Sequence, residues 1–224
     1  MEKIALDGLL IVLFILTLNL PFFRVVGHEI LGGLLLLALL LHHAWNRSWH
    51  DHLKRSRWNY QRRGNALVMA LMAASCLTVI FSGIAIARNL LPFSIRAPLA
   101  VHEIHWLSGY LFFLFAALHT GMHSGDIKGR LMHFFSLRPS PALDRLFQIL
   151  TLALVMTGIY FSFQERIGDR LLMTHMVNML IGPQSLLEFS LAFGNIFILY
   201  AIMGHYFQAL LRHLDRPKRR VRTT

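Results

Sequence analysis

Six apolar runs, nearly free of charged residues, restrict this chain to one kind of fold. A helix needs about 20 consecutive apolar residues to cross the hydrocarbon of a bilayer, and several of the runs reach that length. They fall at about 4–23, 25–45, 64–87, 102–122, 145–164 and 189–211. The expected fold is all-α: a polytopic membrane helix bundle of about six transmembrane helices, forming one membrane domain over 1–224. Only 15% of the residues are charged, where a soluble domain carries roughly a quarter.

The net charge of +11 invites a nucleic-acid reading, but its placement argues for topology instead. With six spans, seventeen of the 22 basic residues share one side: Lys3, the 46–63 loop, the 123–145 connection and the tail 212–224. Only Arg24, Arg88, Arg96, Arg166 and Arg170 fall on the other. The positive-inside rule then predicts that both termini, the basic tail and the 46–63 loop are cytoplasmic; the expected location is a prokaryotic-type inner or plasma membrane, crossed several times. The first run has two acids, Glu2 and Asp7, and no small-residue cleavage site, so it reads as a retained helix rather than a signal peptide.

Breakers set the boundaries. Pro21 and Arg24 mark a tight outer turn, Pro92 and Pro98 bracket the next outer connection, and Pro139 and Pro141 an inner one. The 46–63 loop has room for a short amphipathic helix, with Trp45, Trp49 and Trp58 placed for the headgroup region. The segment 165–188 is too apolar for a solvated loop and is expected to lie along the outer surface or on a partner. Ser82-Gly83-Ile84 in the third span is echoed by Thr157-Gly158-Ile159 in the fifth. Those glycines make room for something flat.

Within the spans, histidine is the informative residue. His28 and His42 are fourteen residues apart, as are His105 and His119, and glycine follows each first histidine by four positions, at Gly32 and Gly109. Fourteen helical residues rise about 21 Å and return to nearly the same face. The second and fourth spans, running parallel, then present histidines at two depths. A tetrahedral metal site needs three or four ligands around one ion, and one such pair cannot supply them. A bis-imidazole haem needs one histidine from each helix. The expected axial ligands are His28 and His105 for an outer haem, and His42 and His119 for an inner one, with Gly32, Gly109, Gly83 and Gly158 opening space for the porphyrins. The lone Cys76 permits no CxxCH attachment, so these would be two non-covalent b-type haems.

Other histidines compete or assist. His205 shares the inner depth and is an alternative inner ligand; His102 lies three residues before His105; His123 is placed for an inner propionate. His43 points away from His42, and His175 could serve a surface haem or a quinone pocket, though a plain interfacial role suits it better. His50, His52, His133 and His213 stand among basic loop residues as solvated side chains. Glu29, His102 and Glu103, at the outer end, form a candidate quinone and proton site.

The paired His-x3-Gly-x9-His pattern, with the two [Ser/Thr]-Gly-Ile elements, resembles the dihaem membrane cytochromes b. It is most similar to the small flavinylation-associated cytochromes and the cytochrome b subunits of hydrogenases and formate dehydrogenases. The likeness covers residues 1–165. It implies a membrane electron conduit between a quinone pool and a redox partner subunit or extracytoplasmic electron-transfer protein, as one subunit of an oxidoreductase complex. The alternatives are a histidine-bearing proton or metal transporter and a structural or assembly subunit.

Overall fold

The computed structural model describes residues 2–46, 58–89, 97–125, 132–134, 136, 138, 140–174 and 185–215. Among these the regular secondary structure is helix, with no strand, and the elements are α1 (Glu2–Leu18), α2 (Leu20–Trp45), α3 (Tyr60–Ile86), α4 (Leu99–Met122), α5 (Pro141–Gln164), α6 (Ile167–Leu171) and α7 (Leu186–Leu214). Five of them, α2, α3, α4, α5 and α7, are long and apolar enough to cross a membrane.

The first expected span divides differently from the sequence reading. α1 has 17 residues, and its apolar stretch Ala5–Leu18 is shorter than the other five. The reason is Asn19. It is almost fully buried, and its side chain caps the next helix by accepting from the Phe22 N–H at 3.4 Å. Residues 20–23 thus belong to the start of α2, which then breaks at Arg24, where φ is +55°.

α4 is the centre of the bundle. It packs against α3 on one side and α7 on the other, and α5 joins on the far flank of α7. Two glycines make the α4–α7 crossing close: a Cβ on Gly121 would lie 1.7 Å from the Ala201 carbonyl oxygen, and one on Gly204 would lie 2.2 Å from that of Leu118. Backbones meet there, as small residues permit in lipid. Phe113, Phe193 and Ile196 are fully buried in this seam.

α2 reaches that core through Leu35 and Leu39. Its extensive packing is along α1, which is antiparallel to it and wedges Phe14 against Phe112, with ring centres 4.7 Å apart. The end of α2 nearest Arg24 is tied across to the end of α3. There Glu29 accepts from the Arg88 N–H at 2.9 Å, the Asn89 N–H at 3.1 Å and the Asn89 side chain at 3.0 Å. At the opposite face Asp215, after α7, accepts from the first two N–H groups of α3, Tyr60 at 2.8 Å and Gln61 at 2.9 Å.

Residues 165–174 fold back onto the bundle. Arg170 is buried, with its guanidinium bonded to the Glu165 carbonyl (2.7 Å), the Glu165 carboxylate (3.2 Å) and the Tyr110 hydroxyl. A buried charge is tolerated when it is paired and hydrogen-bonded in this way. The rest of the expected outer segment, 175–184 with His175, lies outside the described residues, as do His50, His52, Trp49, Pro92, Pro139, most of the 46–63 loop and the tail beyond Asp215.

Candidate functional site

Between α2 and α4 the imidazoles of His28 and His105 meet edge to face, with ring centres 6.0 Å apart and planes at 81°. Each ring is held from behind. The His28 Nδ1 lies 2.8 Å from the Thr17 carbonyl of α1. In a continuous helix that carbonyl would accept from residue 21, but Pro21 has no N–H to give. The oxygen is therefore open to the histidine.

The His105 Nδ1 lies 3.1 Å from the Val79 carbonyl and 3.2 Å from the Ser82 hydroxyl, both on α3. Gly83 allows this approach, since a Cβ there would come within 3.0 Å of the His105 ring. A ring nitrogen facing a carbonyl carries the proton, which leaves the opposite nitrogen, Nε2, as the acceptor or ligand. Both rings are thus set in the tautomer that a metal requires, by partners on two other helices.

The opposite ends of the same helices carry the second pair. His42 donates from Nδ1 to the Asp7 carboxylate at 3.0 Å. Asn46 bonds the His42 carbonyl at 3.0 Å, and its amide nitrogen lies 3.4 Å from the His42 Nε2. His119 sits 4.8 Å from His123, ring centre to ring centre. His42, His43 and Asp7 all lie within electrostatic reach of it. Since α1 lies antiparallel to α2, with Thr17 at His28 and Asp7 at His42, and its Phe14 packs on Phe112 beyond His105, α2 and α4 run in the same direction.

The spacing of His28 and His105 is compatible with a group ligated from two sides. An imidazole nitrogen lies about 2 Å from the metal it binds, so two rings sharing one metal from opposite faces hold their centres about 6 Å apart. The His28–His105 separation has that value. Among the described residues, no three or more His, Cys, Asp and Glu side chains gather into a site for a bare ion.

The four glycines differ in surroundings. Nothing lies within 4 Å of a Cβ built on Gly32, so the α2 face one turn beyond His28 is open. Gly83 receives the His105 ring. Gly109 is buried against Val79 of α3, at 3.7 Å. Gly158 is packed under Leu199 of α7, where a Cβ would meet that side chain at 2.8 Å, so its space is filled by protein. The echo between the third and fifth spans is nevertheless used alike. As Ser82-Gly83 takes His105 from α4, Thr157-Gly158 takes Asn195 from α7, through a 2.8 Å bond to the Thr157 hydroxyl.

His205 is turned elsewhere. Its Nδ1 pairs with the Ser124 hydroxyl, and its exposed ring lines a cleft of about 670 Å³ between α5 and α7, with Asp144, Gln148, Thr151 and Tyr206. His102 and Glu103 are half-buried near the start of α4. His133 and His213 are exposed.

Sequence reasoning gave no role to Asp7, to the Thr17 carbonyl or to the Val79 carbonyl. Asp7 had a signal, an acid inside an apolar helix; the carbonyls had none beyond Pro21. No family model, curated protein or solved structure matches the chain.

Proposed function

We propose that this chain is a membrane dihaem b-type cytochrome subunit, carrying electrons across the bilayer between a quinone pool and a partner redox protein. The observation that carries this reading is the 6.0 Å apposition of His28 and His105, each with Nδ1 tied to a carbonyl of another helix. Bound haem iron supplies reversible one-electron chemistry.

The chain's own work is to hold and orient. His28 and His105 would hold the outer haem, and His42 and His119 the inner one. α1 and α3 lock the ring orientations from behind. Gly32 leaves α2 open to a flat macrocycle, and α1 runs beside α2 as a sixth apolar helix. His205, facing α5, is kept outside the ligand set. At the outer end the Glu29 carboxylate is directed at α3, so the proton-acceptor role toward a quinol falls to His102 and Glu103.

The excess of Lys and Arg on one side is the argument for cytoplasmic termini, and we place the chain in a prokaryotic-type inner or plasma membrane. Apolar helix faces such as Leu152, Met156 and Phe163 on α5 suit lipid contact.

A reduced-minus-oxidised spectrum of the purified protein tests the reading. A b-type α-band with two haems per chain by pyridine haemochrome is the expected result. A protein that purifies folded from haem-replete cells without an α-band would overturn it.

A further inference from the structure

The two ends of α2 are anchored by groups of different charge. His28 donates to a backbone carbonyl, a neutral dipole, whereas His42 donates to the carboxylate of Asp7. Both acceptors come from α1, which therefore orients both α2 histidines.

A carboxylate behind an imidazole does more than aim it. By drawing on the Nδ1 proton it leaves more electron density on Nε2, and a more basic ligand favours the oxidised metal. Its negative charge also lies close to the metal position, and it too favours the more positive oxidation state. Both effects act in one direction.

We infer that Asp7 is a positioning residue that lowers the reduction potential of the inner haem through His42, making the two haems energetically unequal. This rests on the dihaem reading proposed above. Asp7 does not touch the iron; it acts through the ring it orients. The gradient that results separates the two depths of the conduit, and α1, though too short to be a candidate span, supplies it. Of the side chains against this ring, Asn46, which meets the His42 carbonyl and Nε2, is neutral, and Asp7 is the acid bonded to it.

The experiment is a spectroelectrochemical titration of the full chain and of Asp7→Asn, with His42→Ala to identify which one-electron wave belongs to the His42 haem. Asn keeps an acceptor oxygen in the same place and removes the charge. Haem content should stay at two per chain, which separates the effect from misfolding. The expected result is that only the wave missing in His42→Ala moves to higher potential. A change on the order of tenfold in its reduction equilibrium corresponds to 59 mV for one electron.

Asp7→Ala, which also frees the ring, should raise the same wave at least as far. Two waves in Asp7→Asn that coincide with those of the unmodified chain would overturn the Asp7 role and leave the dihaem reading standing. A shift shared equally by both waves would overturn it as well. A folded, haem-free protein would bring down both.

Discussion

The Nδ1 of His28 lies 2.8 Å from the backbone carbonyl of Thr17, the carbonyl that Pro21 leaves without a helical donor. Thr17 lies in the last turn of α1, whose carbonyls have no helical donor, and the proline at the head of α2 adds no competing N–H. Pro21→Ala restores an N–H able to compete for that oxygen while leaving every side chain of the site in place. Affinity for the outer haem should fall about tenfold, the scale of losing a partner behind a metal-ligating histidine, with the inner haem unaffected. Haem retention during dilution, followed by the two spectral components, reads this directly.

His28 and His105 come from helices that make no extensive backbone contact, yet their rings meet at 6.0 Å. Both should therefore belong to one haem. His28→Ala and His105→Ala are each expected to lower the count from two haems to one and to remove the same spectral component. His42→Ala and His119→Ala should remove the other. If His28→Ala and His42→Ala abolished one and the same component, the pairing across α2 and α4 would be wrong.

Asp215 joins the end of α7 to the start of α3 on the face opposite Glu29, its carboxylate receiving the first two N–H groups of α3 at 2.8 and 2.9 Å. The free N–H groups and the positive end of the helix dipole both favour an acid there. Asp215→Ala should cost about 1 kcal/mol, as loss of an N-terminal cap does. It should lower the thermal midpoint in detergent and leave the haem spectrum unchanged.

How much of this could be read from the sequence follows from the range of each interaction. The membrane class and the long helices are written in continuous apolar runs, and the shared face of each histidine pair in the helical period. Partners across helices are not. Asp7 and His42 are 35 positions apart, and no spacing rule joins them. Hydropathy adds along the first run as far as residue 23, whereas Asn19 ends α1 at Leu18 and caps the next helix through a bond to Phe22. Gly83 and Gly158 look equivalent in sequence, and their difference comes only from which helix lies opposite. Arg170 reads as a loop cation until Tyr110 and Glu165 close around it.

The α4–α7 crossing had a signal that went unused, the small pair Ala117 and Gly121 four residues apart. Gly121→Leu would drive a side chain into the Ala201 carbonyl, which has no flexible end to give way. Overpacking against backbone should cost about 3 kcal/mol or more. Most of the variant should be lost from the membrane fraction, and the remainder should melt earlier whether or not haem is supplied.

Gly83 and Gly158 provide the sharpest comparison, because each stands in the same short element and each would clash on gaining one methyl group. In Gly83→Ala the new Cβ comes within 3.0 Å of the His105 ring, and a small rotation of that ring relieves it. The rotation weakens the bond to the Val79 carbonyl and turns the ligand nitrogen. The outer haem should change its α-band position or be lost, with little change in melting temperature. In Gly158→Ala the Cβ meets Leu199 at 2.8 Å and the Asn195 carbonyl at 3.3 Å, so α5 and α7 must separate. That should cost about 1–3 kcal/mol and leave both haem components in place. Paired absorbance spectra and thermal melts of the two variants decide it. An intact outer-haem band in Gly83→Ala would remove the argument that α3 orients His105, whatever the haem count.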